Sequence, residues 1–180
     1  MTDARRRNLL GATALALADR IRAAVDAASD VSGETAAALA VIAQQPGGTV
    51  EDLRQAIGRS QPATVRIVDR LVEHGLVERR RGERGPALAL VVTARGRRQA
   101  RSMLAARDRV LAEVMHGLDS TAAAALEAAL PHLLTRLSEL PEGMTVCRLC
   151  DKGPCRGAGD CPLAAALEAR GVDLKPGSPL

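Results

Sequence analysis

The sequence predicts a mainly α chain that carries one small β-hairpin. Three observations lead there. Apolar residues recur at steps of three and four through most of the 180 residues, the spacing of a helix face. After Gly75 the spacing shortens to alternate residues in two short runs, then returns to the helical step. The chain has no Phe, Trp or Tyr, so its core must be built from Leu, Val, Ile and Ala, small side chains that suit closely packed helices.

The first element spans residues 1–32. Leu10, Ala14, Leu17, Ile21, Val25 and Ala28 fall on one side, and Asp19, Arg20, Arg22 and Asp26 on the other, which predicts one long amphipathic helix. The opening MTDARRRNLLGATALALADR has the outline of an export signal, with a basic start and Ala16-Leu17-Ala18 before Asp19. The apolar spacing continues past the point where a signal should stop, so the helix is the better reading. No other run approaches the ~18 apolar residues of a membrane span.

Residues 33–45 form a second helical pattern, closed by Pro46-Gly47-Gly48. Thr49 then reads as an N-cap with Asp52 three residues on, a weaker form of the capping box. A short helix follows to Ile57 and stops at Gly58. Ser60 is expected to cap the next helix, SQPATVRIVDRLVEHG, with Pro62 permitted in its first turn. Thr64, Ile67, Val68, Leu71 and Val72 supply its apolar stripe, while Gln61, Pro62, Val65, Arg66 and Asp69 sit away from it. Two helices joined by a short turn containing glycine are a helix-turn-helix signature, and the second would be the recognition helix.

Two strands follow, Leu76–Arg80 and Ala87–Val92, the second with Leu88, Leu90 and Val92 on one face. RGERGP is the tip between them. A basic hairpin directly after a recognition helix is a wing, and Arg81 and Arg84 at its tip suit a minor groove, whose negative potential attracts Arg.

The charge agrees. Between Arg54 and Arg101 there are 12 Arg against four acids, while the rest of the chain has 13 basic and 17 acidic residues, within a total of +4. A GC-rich coding preference accounts for Arg over Lys but not for the clustering. A block of this kind reads as a polyanion-binding surface, and Arg suits bidentate phosphate and guanine contacts. The lack of aromatic rings counts against modules that stack single-stranded bases.

The stretch SQPATVRIVDRLVEHGLVERRRGERGPALALVVTARGR closely resembles the winged helix-turn-helix core of MarR-type transcription regulators. IVDRL, HGLVERR and VTARGR match the family pattern in order and spacing, strongly from Ser60 to Arg97 and more loosely over residues 10–140. One departure is the tip Gly82-Glu83-Arg84-Gly85-Pro86, where the family's wing usually has an Asp-x-Arg pair. Gln61, Thr64 and Arg66 are then expected near base edges. Ser60, Arg70, Arg79, Arg80 and Arg81 are expected on phosphates, with Pro62 in the same turn and Arg84 in the minor groove.

Thr93 caps a helix to about His116, with Ala100, Met103, Leu104, Val110, Leu111 and Val114 on its apolar face. A further helix from about Ser120 to Leu140 carries Leu126, Leu130, Leu133, Leu134 and Leu137, with Pro131 expected to kink it. The expected organisation is a dimerisation helix over 1–32, a winged helix-turn-helix domain over 33–98, dimerisation helices over 99–140, and a tail over 141–180. The resemblance implies a two-fold homodimer on a pseudo-palindromic double-stranded operator, a small-molecule effector between the lobes, and a cytoplasmic location.

The tail holds every cysteine of the chain: Cys147, Cys150, Cys155 and Cys161, spaced C-x2-C-x4-C-x5-C and followed by Pro162. The stretch has almost no apolar residue of its own, so a metal held by four thiolates would order it. Zinc is the first candidate, since a close C-x2-C pair is the common half of a structural zinc site. An iron–sulfur cluster is the alternative, although the other spacings differ from both ferredoxin types. A metal-free thiol set is the third. Redox or metal responsiveness would follow if the tail's state moved the adjacent dimer helices. None of His74, His116 and His132 has a partner at a catalytic spacing, so no enzyme is expected. The rival from another class is an iron–sulfur carrier with an N-terminal export signal, which would leave the basic middle idle.

Overall fold

The computed structural model of the chain describes residues 2–81, 88–139, 145–146, 148–154 and 161–168. In chain order the elements are α1 (Asp3–Ala27), α2 (Gly33–Gln44), α3 (Val50–Ile57), α4 (Gln61–Glu73), β1 (Val77–Arg81), β2 (Leu88–Val92), α5 (Ala94–Met115), α6 (Ser120–Ser138) and α7 (Pro162–Glu168). The strands pair antiparallel, with Val77 opposite Val92 and Arg81 opposite Leu88. No helix among the described residues is long and apolar enough to cross a membrane.

Local chemistry sets the element ends. Thr49 and Asp52 form the capping box of α3: the Asp52 N–H donates to the Thr49 hydroxyl at 3.2 Å, and Asp52 accepts from the Thr49 N–H at 2.7 Å. Gly58 ends α3 in the left-handed region, φ 64°, where a side chain is strained. Gly75 does the same after α4, φ 66°. The Thr93 hydroxyl accepts from the Gly96 N–H at 3.0 Å and donates to the Gly75 carbonyl at 2.8 Å, so one residue starts α5 and closes the α4–β1 turn. Gly96 itself has no room for a side chain. A Cβ there would stand 2.0 Å from the Leu76 carbonyl oxygen, which gives the glycine of VTARGR a packing reason.

The core lies in the winged lobe. Leu39, Leu53, Val68, Leu71, Leu76, Val77, Leu90 and Met103 are fully buried, around an α2 that is buried from Thr35 to Ile42. Five of the twelve residues of α2 are alanine, the close-packing solution expected of a chain without aromatics. Asp30 accepts from Arg95 at 2.6 Å and also from Gln99, which ties the α1–α2 corner to α5. The Arg95 contact is the main reason that the Asp30 carboxyl is held below its ordinary value.

Away from that lobe the helices are bare. Of α1 only Val25 is buried, and Leu9, Leu10 and Leu15 are exposed. No residue of α6 is buried, and Leu130, Leu133 and Leu137 are exposed, as are Val114, Met115 and Leu118 beside it. Within the chain α6 packs on α7.

Several expectations need correction. Leu88 is exposed and does not share a buried face with Leu90, because it stands opposite Arg81 at the outer end of the hairpin, beyond the core. Ala89 is buried instead, bridged to Thr49, and the Leu90 N–H donates to the Gly48 carbonyl at 2.8 Å. The residues before α3 thus add a third, very short edge to the hairpin. Val72 turns outward. Ser60 occupies the N-cap position of α4, but its side chain makes no capping bond.

Candidate nucleic-acid interface

The exposed face of α4 carries Gln61, Pro62, Val65, Arg66 and Arg70 at steps that keep them on one side. Ser60 is exposed at its start. The first turn of α4 contains no acid, so nothing offsets the positive end of the helix dipole. Among the described residues Arg66, Arg70 and Arg81 have no acidic partner.

Thr64 does not belong to this face. It is fully buried, and its hydroxyl donates to the Ser60 carbonyl at 3.0 Å. The bond to the preceding turn satisfies the hydroxyl and removes it from reach of a base edge. Val68 and Leu71 follow it at the helical step, all on the buried side.

The wing arginines divide by partner. Arg79 is half-buried and donates to Asp69 at 2.7 Å, so it links β1 to α4 before any other role. Arg80 donates through Nε and Nη2 to Glu78 at 2.9 and 2.6 Å, an exposed pair that a phosphate can displace at little cost. Arg81 is exposed at the outer end of β1. Arg84 lies outside the described residues.

The positive block of the sequence is therefore thinner in space than along the chain. Arg59 pairs with Glu34, Arg54 with Glu51 and Arg95 with Asp30, all acids from before residue 54. Arg54 donates to both Glu51 oxygens, and with Gln55 beside it holds the Glu51 carboxyl down to about 2 against an ordinary 4.5. Charge counting along the chain had no access to these pairs. Of the block's described arginines without an acidic partner, Arg66, Arg70 and Arg81 lie on α4 and the wing, and Arg97, Arg98 and Arg101 at the start of α5.

The tail is docked rather than loose where it is described. The Gln44 side-chain amide donates to the Cys150 carbonyl at 2.8 Å and accepts from the Lys152 N–H at 2.9 Å. Leu149 packs against the core, and Leu163 is buried at the start of α7. Leu149, inside the cysteine stretch, and Leu163, just past its end, thus anchor it in part by apolar contact. Thr145 stands at the helix-turn-helix turn, its Cγ2 only 2.6 Å from where a Cβ on Gly58 would be. A cavity of about 340 Å³ opens here between α1, α2, the Gly58 turn and the tail, with Arg22, Glu34, Arg59 and Arg148 on its walls.

Cys150 and Cys161 are both half-buried. Cys147 and Cys155 lie outside the described residues, and among the described residues no three potential ligands stand together. In donor chemistry the set fits a soft ion, because four thiols, two of them in a close C-x2-C pair, are what zinc or an iron–sulfur cluster takes.

The sequence of residues 29–85 matches the MarR family. No curated protein matches the chain. Among solved structures, a MarR family protein from Bacillus stearothermophilus is similar with a TM-score of 0.68 at 23% identity, over 77% of this chain and 99% of that one. Wild-type apo MarR from E. coli gives 0.57 at 20% identity, over 69% and 96%. CouR from Rhodococcus jostii RHA1, solved with p-coumaroyl-CoA, gives 0.56 at 20% identity, over 69% and 88%. The family match covers α2 to the wing, and the fold around it is shared with these structures: the chain has their winged helix-turn-helix fold, with a MarR-family sequence match in its central lobe.

Proposed function

We propose that this chain is a sequence-specific double-stranded DNA-binding transcription regulator, a repressor in the cytoplasm, acting as a homodimer on a pseudo-palindromic operator. The observation that carries it is the α4 face. Gln61, Arg66 and Arg70 project from a helix whose first turn has no acid, beside a wing strand that ends in Arg81. In this reading Gln61 and Arg66 meet base edges in the major groove, while Ser60, Arg70, Arg80 and Arg81 hold phosphate. Pro62 shapes the turn, and Arg84 reaches the minor groove.

The dimer rests on the exposed leucines of α1 and α6, which a second copy would cover. Two α4 helices would then stand one DNA turn apart. The cavity beside the Gly58 turn is of a size for a small-molecule effector. The four cysteines are read as a metal site, zinc first and an iron–sulfur cluster second. The rival reading of an iron–sulfur carrier with an export signal gains nothing from α1, which packs on α2 and α5 as a working part of the fold.

Selection from a random duplex library, followed by titration of the selected site at several salt concentrations, tests the reading. It expects an enriched palindrome and an affinity that falls steeply with salt. No preference for any duplex over competitor at low salt would sink it.

A further inference from the structure

The cavity beside the Gly58 turn has a lining that narrows what it can hold. Its walls come from the second half of α1, the first turns of α2, the Gly58 turn and tail residues 145, 148 and 149, and no residue of α5 is among them. The guanidiniums of Arg22, Arg59 and Arg148 share this lining with the carboxylates of Asp26 and Glu34. Both carboxylates are already engaged: Asp26 accepts the Gly33 N–H at 2.9 Å, and Glu34 pairs with Arg59. Arg148 has no acidic partner among the described residues, and its Nη1 donates to the Thr145 carbonyl at 3.0 Å. Arg22 stands 3.5 Å from Asp19, outside the cavity, in a pair open to solvent that another anion can replace at little cost. The positive end of α2 lies at the same wall, where Ser32 makes no capping bond. The balance favours an anion.

The rest of the lining limits the kind of anion. Val25, Ala37 and Ile57 are buried, and Leu149 of the tail is half-buried. An inorganic ion would leave these apolar groups uncovered, while a neutral apolar molecule would cover guanidiniums without giving them a partner. The volume of about 340 Å³ is at the small end for a ligand site. We propose that this cavity binds a small carboxylate with a short apolar body, captured by Arg148 of the tail, and that the bound anion draws Arg59 away from Glu34 at the turn into α4. Arg148 suits the role because a guanidinium offers one carboxylate two parallel N–H donors. Arg59 suits the second role because it stands between Gly58 and the N-cap position of α4, so its partner bears on how that helix starts. The inference deepens the effector reading above and rests on it for any consequence at DNA. It also gives the docked tail a task that does not depend on what its cysteines hold.

The test is isothermal titration calorimetry of the reduced full-length chain with hexanoate, with its neutral isostere hexanamide and with inorganic phosphate. It is run on the natural sequence and on Arg148→Gln and Arg148→Lys. Hexanoate is expected to bind once per chain, with hexanamide and phosphate each weaker by about tenfold, the first for want of the charge and the second for want of the apolar body. Arg148→Gln should weaken hexanoate about tenfold and leave hexanamide unchanged. Arg148→Lys should keep part of the affinity, since it retains the charge and loses the fork. Arg148 is exposed, so both variants should melt with the natural chain. Saturating hexanoate should shift the Gly58 and Arg59 amide resonances. Hexanoate that fails to bind, that binds no better than hexanamide or phosphate, or that binds Arg148→Gln undiminished overturns the site. Unshifted resonances overturn the part given to Arg59. Hexanoate that binds as expected but leaves duplex affinity unchanged sinks the effector reading and leaves the site standing.

Discussion

The winged lobe and the helical arm are built from the same residue types to opposite ends. In the lobe, α2, α4 and the strands bury a shared set that includes Leu39, Val68, Leu71, Val77 and Leu90. In the arm, α6 has leucines at the same helical spacing and buries none of them. The contrast teaches that amphipathic periodicity specifies a face and not its partner. In the lobe the partner is in the chain. In the arm the described residues supply only α7 against α6, and an exposed apolar surface of that kind marks an interaction site.

The sharpest break of this comparison is a pair of truncations. Leu71→Ala, at a fully buried site in the lobe, should cost about 2–5 kcal/mol in urea unfolding, independent of protein concentration. Leu130→Ser with Leu133→Ser, in the arm, should leave the lobe's melting intact but halve the mass by light scattering. It should also weaken binding to a two-half-site duplex about a hundredfold, since the second half-site is no longer tethered. If the arm variant unfolds like the core variant, the two regions are not separate.

A smaller effect sharpens the functional side of the lobe. Arg66→Ala should lose about 1–3 kcal/mol of duplex affinity and relax preference at one base pair, measured by competition with single-position variants of the site. Unchanged affinity would remove Arg66 from the base edges. The smallest effect concerns Glu51. Its folded-state pKa of about 2 lies below its ordinary 4.5, so the Arg54 pair supports the fold above that value and the support fades as pH falls toward 2. Glu51→Gln should flatten the acid limb of stability slightly in that window. The effect is small because the pair is exposed to solvent.

Much of the lobe was legible in the sequence because its signals are local. The Thr49–Asp52 box, the stop at Gly58, the break at Gly75 and the Thr93 cap each depend on residues within a few positions, and each stands where expected. Thr64 shows the limit. A threonine bordering an apolar stripe is assigned to one side or the other by the exact rotation of the helix, and a bond to Ser60 decided it here. Leu88 shows another, since alternation says which residues share a face but not where the core ends along a strand. The acids that neutralise Arg59 and Arg95 are far away in the chain, Glu34 on α2 and Asp30 at the α1–α2 corner, while Glu51 stands one turn before Arg54 on α3, just outside the arginine block. The Gln44 clamp was invisible for a stronger reason: it joins positions 106 and 108 residues apart and grips main chain, which carries no side-chain signature. The arginine face of α4 could be read early because polar positions on a regular helix follow directly from its stripe.

Thr49 begins α3 and is also bridged to Ala89 in β2. With Arg79 joined to Asp69, the hairpin is tied to both short helices. On the proposed function, ties of this kind set the offset between α4 and the wing. If that function holds, descendants of this chain would change the word they read by swapping side chains on α4, because tilting the helix would break the ties to the hairpin.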